Sequence, residues 1–174
     1  MLDWIKDLIV HCWDAIVPYV IVYPTEKAVV YRLGRLHRQI GCGPHFKIPL
    51  IEKVDSVSCV ITTMPLGTQT LTTADGKLVV VSSILRYEIE DVLPYFTEIW
   101  DSHDVLKDTA LGATEDVIVH TEAKDLLDPR LEKEILQRIR TQVKRYGFKV
   151  HRFTFKERGF IRSLRLIGNP LIPD

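Results

Sequence analysis

The hydrophobic pattern changes period three times along the chain, and each change marks an element. Residues 1–17 follow a helical period of about 100° per residue. Asp3, Asp7, His11 and Asp14 then form one polar stripe, while Leu2, Ile5, Leu8, Ile9, Cys12, Ala15 and Ile16 fill a wide face behind it, with Trp4 and Trp13 at its flanks. After Pro18 the pattern is extended: Tyr19 to Tyr23, Ala28 to Leu33 and Leu36 to Ile40 are β-branched and aromatic runs separated by turn residues. Gly41 to Val57 punctuates short apolar runs with two glycines and two prolines, so the backbone is expected to turn at Gly41 to Pro44, run extended through Phe46 and Ile48, and turn again near Pro49. A strand through Val57, Cys59 and Ile61 is expected next.

Asp75-Gly76 lies between apolar runs and predicts a hairpin, with Leu78 to Val81 buried on both faces and Leu85, Tyr87 and Ile89 alternating against Arg86, Glu88 and Glu90. Helical signals follow. Val92 to Trp100 reads as a short helix, and Ser102 as the cap of a longer one through about Lys124. Asp128 and Pro129 open a third, with Leu131, Ile135, Leu136, Ile139 and Val143 as its stripe and Gly147 as its stop. In Phe148 to Lys156, Phe148 and Val150 have one parity, and Phe153 and Phe155 the other. A bulge at His151 and Arg152 is therefore predicted. The order is α+β, a mostly antiparallel sheet with packed helices preceded by an amphipathic helix. It divides into residues 1–18 (the membrane-associated helix), 19–157 (one domain) and 158–174 (a short tail).

With 174 residues, 46% of them hydrophobic, and no formal net charge, the chain is neither disordered nor a generally basic nucleic-acid binder. The balance is segregated: residues 86–122 carry ten acidic side chains against Arg86 and Lys107, and residues 125–174 carry twelve Lys or Arg against six acidic. An acidic and a basic region in one subunit can meet across a head-to-tail interface. The scattered Cys12, Cys42 and Cys59 fit neither a disulfide framework nor a metal site, and are expected to be free thiols.

No active site emerges. Gly-Cys-Gly-Pro leads into a strand and lacks a phosphate-loop ending. Asp101, His103 and Asp104 are expected as solvated helix-start residues before metal ligands. Cys42 and His45, three apart in an extended corner, would diverge, and a small buried or half-buried Cys42 is the plainer reading. No catalytic residue, cofactor or metal is expected. The N-terminal stripe fits a helix lying in a membrane interface, with Leu2, Trp4, Ile5, Leu8, Ile9, Trp13 and Ile16 inserted. It is too interrupted by charge to span the ~20 residues a bilayer needs. The alternative is a helix packed on its own domain or a neighbour.

The blocks Tyr23-Pro-Thr-Glu-Lys-Ala-Val-Val-Tyr-Arg-Leu-Gly34, Gly41-Cys-Gly-Pro-His-Phe-Lys-Ile-Pro49 through Asp55, and Leu71-Thr-Thr-Ala-Asp75-Gly76 with Leu85-Arg-Tyr-Glu-Ile-Glu-Asp91 resemble the stomatin, prohibitin and flotillin (SPFH) superfamily. The resemblance implies a non-enzymatic, oligomeric membrane scaffold on one leaflet, most simply the cytoplasmic face, that organises lipid or regulates membrane proteases or channels. Its expected partners are further copies, lipid membrane, and a membrane protease or channel, with no nucleic acid. The alternative is an adaptor or inhibitory subunit of a membrane protease, or a structural component of a virion or envelope assembly. Cys42 stands where the family has the first proline of Gly-Pro-Gly, and neither a hydrophobic hairpin nor a long coiled coil is evident, so a closed cage is not expected, while a ring of the globular domains stays open as an expectation. Phe46, Ile48, Leu50 and Ile51 form an apolar loop early in the domain. Phe46 and Ile48 are expected at its membrane-proximal end.

Overall fold

The computed structural model describes residues 18–98 and 100–160. The expected amphipathic helix and the tail beyond residue 160 lie outside the described residues. The fold is α+β. Among the described residues, three antiparallel sheets comprise β1 (Tyr19–Val22) with β4 (Gly43–Phe46); β3 (Arg35–Ile40), β2 (Glu26–Arg32) and β5 (Glu52–Ser58); and β6 (Thr62–Thr72), β7 (Leu78–Ile89) and β8 (Phe148–Phe160). Helices α1 (Val92–Thr97), α2 (Ser102–Val119) and α3 (Pro129–Val143) connect β7 to β8.

The main core lies between the β6–β7–β8 sheet and the helices. Leu85, Tyr87 and Ile89 from β7 meet Leu106, Ala110 and Val117 of α2, and Ile135, Ile139 and Val143 of α3. β8 delivers Phe148, Val150, Phe153 and Phe155 to the same core across the predicted bulge: Val150 faces Tyr87 and Arg152 faces Arg86, leaving His151 as the extra residue. A second bulge at Lys156, where Phe155 faces Ser83 and Glu157 faces Ser82, was not foreshadowed by any parity change in apolar residues. In β6, a shift between Pro65 and Gly67 turns Leu66 inward to 2% exposure.

Several expectations need correction. The strand doubly covered by neighbours is β2, not the start of β7: Val29 enters the main core, while Ala28 and Val30 join a second cluster with Val22 and Ile40. Leu78 is exposed and Val80 half-buried, because nothing among the described residues packs outside that sheet. The predicted strand through Cys59 and Ile61 stops at Ser58 and restarts at Thr62 as a longer arm of the Asp75-Gly76 hairpin. The first helix ends at Thr97, short of Trp100, and α2 ends at Val119, short of Lys124. Asp101, not Ser102, caps α2 by accepting from the Asp104 amide. The Ser102 hydroxyl instead donates to the Tyr95 carbonyl from a buried position.

Asp128 caps α3 by accepting from the Arg130 amide, with Pro129 at the first position. Gly147 ends the following turn at φ 83, and its carbonyl accepts from the Glu90 and Asp91 amides, clipping the end of the helical segment to the β7–α1 junction. A Cβ here would stand 2.0 Å from the Asp91 carbonyl oxygen.

The corner between β4 and β5 is held by Glu52, whose side chain is 1% exposed. Its Oε1 accepts from Arg32 Nε at 3.1 Å and Nη2 at 2.6 Å, and its Oε2 accepts from the Ile48 amide at 3.0 Å and lies 3.6 Å from Arg38 Nη2. Arg38 Nη2 also donates to the Phe46 carbonyl at 2.6 Å. One carboxylate thus ties the end of β2, the middle of β3 and the 48–51 turn together, and the Leu33 amide adds a bond to the Ile51 carbonyl. The Ile48 amide, followed by Arg32, holds the Glu52 carboxyl below its ordinary value of 4.5.

Two outcomes follow from this packing. Gly147→Ala combines a left-handed backbone with a backbone collision, and chemical denaturation should show a loss of at least about 2 kcal/mol. Because the folded carboxyl of Glu52 titrates below its unfolded value, its contribution is fully present above about pH 4.5 and is lost as pH falls through the lowered value. Glu52→Gln should therefore melt lower than the parent at neutral pH and respond less to acidification. Identical acid responses in the two melting series would remove Glu52 from this role.

Candidate functional site

The Glu52 clasp presents an apolar rim. β1 and β4 form a two-stranded ribbon in which Tyr19 faces Phe46 and Ile21 faces Pro44. Alternation sends Val20 and Val22 inward onto Ala28, Val30, Ile40 and Val54. The opposite face carries Tyr19, Ile21 and Phe46, each more than half exposed. Beside it stand the tip of the β2–β3 hairpin and the turn between β4 and β5, joined by the Leu33–Ile51 bond, and their leucines are largely exposed: Leu33 is 79% exposed and Leu50 89%.

Both leucines have left-handed backbones, with φ 50 at Leu33 and φ 66 at Leu50. For a branched, non-glycine residue this conformation costs about 1–2 kcal/mol. Glycine or asparagine would remove most of that cost, and a polar side chain would suit a wet tip better. At Leu33 the two-residue loop between the paired Arg32 and Arg35, with positive φ at both Leu33 and Gly34, sets the conformation, while a leucine is an unusual choice at either turn. An open groove of about 560 Å³ runs below them, with Tyr31, Lys47, Lys53 and Asp55 among its lining residues.

In this corner β4 already begins at Gly43 and ends at Phe46, so the expected turn through Pro44 and the expected extended run through Ile48 are both cut short. Phe46 is exposed, whereas Ile48 is half-buried because its amide is drawn into the Glu52 clasp, and Leu50 takes the outer position. Leu33, Tyr19 and Ile21 belong to the same rim. Neither β-propensity nor period distinguishes an outward leucine at a turn from an inward one, so these three carried no sequence signal. The Lys47 amide donates to the Pro18 carbonyl at 2.8 Å, so the chain arriving from residues 1–17 joins the domain beside this rim. The predicted membrane residues Leu2, Trp4, Ile5, Leu8, Ile9, Trp13 and Ile16 lie outside the described residues.

The residues weighed for chemistry have other partners. Cys42 is exposed, contrary to the expectation of a buried or half-buried thiol, because it precedes β4 on the open side of the ribbon. His45 donates from Nε2 to the Gly41 carbonyl at 2.8 Å. Cys59 is half-buried, and burial pushes its thiol up. Asp101 is a helix cap, and His103 Nδ1 meets the Tyr87 hydroxyl at 2.9 Å. Among the described residues, no group of three or more His, Cys, Asp or Glu is arranged to hold a metal, and no helix is long and apolar enough to cross a membrane.

The profile of the SPFH domain / Band 7 family matches residues 20–160. An uncharacterized protein of Archaeoglobus fulgidus is 28% identical over 166 residues, covering 94% of this chain and 67% of the relative. Protein HflK of Borreliella burgdorferi is 28% identical over 107 residues, and Protein HflK of Haemophilus influenzae 30% over 103. These matches cover 52% and 59% of this chain. They take in only 34% and 25% of the two HflK chains, so this chain spans about a third or less of their length. The profile runs from within β1 to the last residue of β8, and by that match the chain belongs to the SPFH domain / Band 7 family.

Proposed function

We propose that this chain is a membrane-associated scaffold of the stomatin and prohibitin type, a peripheral or monotopic protein on the cytoplasmic face that self-associates and organises the membrane or regulates a membrane protein such as a protease or channel. Its role is binding and positioning, without catalysis. The reading rests first on the strained, exposed leucines at 33 and 50, set beside Phe46 and beside the point where the apolar 1–17 segment joins the domain. Family membership and the HflK relatives support the same direction.

The physical account has two parts. Residues Leu2, Trp4, Ile5, Leu8, Ile9, Trp13 and Ile16 form an interfacial helix whose acidic stripe stays in water, so adsorption rests on apolar insertion. The rim of Phe46, Leu33 and Leu50, with Ile48 beneath, enters the same interface as a second contact. Fully burying one such side chain is worth about 1.5–3 kcal/mol, and partial insertion less. The rim alone therefore holds the domain weakly, and its main effect is to fix the domain's orientation once the helix is anchored.

Vesicle flotation tests both parts. Ile5→Asp with Ile9→Asp should release the protein, and unchanged flotation of that variant would sink the membrane reading. Leu50→Asn should raise the melting temperature by relieving the left-handed strain, yet weaken vesicle partition by roughly three- to tenfold. A variant that gains stability and keeps full partition would leave the rim out of the contact. Crosslinking in detergent separates the scaffold from an adaptor subunit, which would keep a foreign partner after lipid is removed.

A further inference from the structure

The outer face of the β6–β7–β8 sheet sets two like charges side by side. Arg86 and Arg152 are direct cross-strand partners, and Thr63 faces Arg86 from the other side. Like charges opposite one another in a sheet are unfavourable unless something compensates them. Among the described residues, neither arginine has an ion pair or a side-chain hydrogen bond. Of the carboxylates on that face, Glu88 is held by Lys149 at 3.0 Å and His151 at 3.3 Å, and Glu157 stands two rows away beside Ser82. Thr63, Ile84 and Thr154 complete a concavity of about 250 Å³ around the pair.

The complementary surface is on α2. Asp104 and Asp108 are exposed and unpaired among the described residues. They continue a stripe from Asp101 through Gly112 to Glu115 at spacings of three and four. The Cβ atoms of residues i and i+4 on a helix are about 6 Å apart, close to the separation of the Cβ atoms of two directly opposed strand residues. Gly112 lies in the middle of this stripe. A glycine costs a helix interior stability relative to alanine, and among the described residues nothing within 4 Å occupies the place of its missing Cβ, so their packing gives no reason for it. A neighbouring surface approaching the stripe closely would.

The two surfaces cannot meet within one subunit. α2 packs its apolar side on the inner face of the sheet with Leu85, Tyr87 and Phe153, and Arg86 alternates with Leu85 and Tyr87 to the outer face. The basic α3, which charge segregation alone suggested as the counterpart, packs beside α2 in the same helical layer.

We propose that the Asp104–Asp108 stripe of one copy docks on the Arg86–Arg152 pair of the next, with carboxylate–guanidinium pairs formed across a flat patch at Gly112. The two surfaces differ, so the contact is head-to-tail and continues as a ring or a filament. This interface rests on the self-association proposed above and names the surfaces that carry it.

Sedimentation velocity of the full chain in mild detergent, with salt varied, tests it by charge exchange. Arg86→Glu with Arg152→Glu, and separately Asp104→Arg with Asp108→Arg, should each weaken association at least tenfold at low salt while circular dichroism and melting stay near the parent. The protein carrying all four changes should assemble again. Gly112→Trp should block assembly with no change of charge.

Wild-type assembly in both double variants would overturn the interface and leave self-association standing. Failure of the fourfold variant to reassemble, with its fold intact, would overturn the pairing of these two surfaces. A parent chain that is monomeric throughout would overturn both the interface and the self-association beneath it. If the arginine variant assembled normally but lost binding to phosphatidylserine vesicles, the pair would belong to lipid and the proposal would fall.

Discussion

A buried carboxylate with four donors around it decides the shape of the end of this domain that receives the N-terminal segment. Glu52 collects Arg32 from β2, Arg38 from β3 and the amide of Ile48, groups that no regular ladder would bring to one point. Burying a charge so completely is costly unless it is paired and hydrogen-bonded on every side. Here the compensation fixes the turn that carries Leu50 and, through the Leu33–Ile51 bond, the turn that carries Leu33. Strained leucines at two tips persist only where surrounding structure over-determines them, and the clasp provides that restraint. Rigidity matters because a floppy loop would lose conformational freedom on docking to any surface, and a fixed one has already lost it.

The rest of the molecule supports that end from behind. β2 is apolar on both faces because it is covered on both: Val29 enters the core shared with the helices, and Ala28 and Val30 enter the smaller cluster under the β1–β4 ribbon. This strand couples the helical layer to the apolar rim. The β6–β7–β8 sheet has one face sealed by α2 and α3, and on its other face Arg86 and Arg152 are exposed among the described residues. The proposed scaffold needs one contact with a membrane and one with a neighbouring copy, and the rim and the arginine pair are the surfaces proposed for them.

Much of the fold was legible because it obeys local rules. The parity change in Phe148, Val150, Phe153 and Phe155 encodes a bulge. Asp128, Pro129 and Gly147 bracket the third helix, and Asp75-Gly76 makes the long hairpin. What stayed hidden depends on contacts distant in sequence. Arg32 and Arg38 lie twenty and fourteen residues from Glu52, and the corner's polar residues show no periodicity that would single out Glu52 as their meeting point. Asp101 and Ser102 are equally good caps by type. Tertiary placement of Ser102 against Tyr95 decides between them. The apolar corner was visible as a motif, but the pattern did not separate the half-buried Ile48 from the exposed Leu50, because the clasp takes the Ile48 amide, a choice made by a side chain and not by propensity.

The central claim is that the rim at Leu50 enters a membrane interface in a fixed orientation. A nitroxide at position 50, in a chain whose native cysteines are replaced by serine, measures this by its relative accessibility to oxygen and to a water-soluble relaxant on vesicles. The account predicts that the label becomes shielded from the aqueous agent on binding, while a control label at the exposed Glu157 stays wet. Equal aqueous accessibility at positions 50 and 157 on fully bound protein would contradict it.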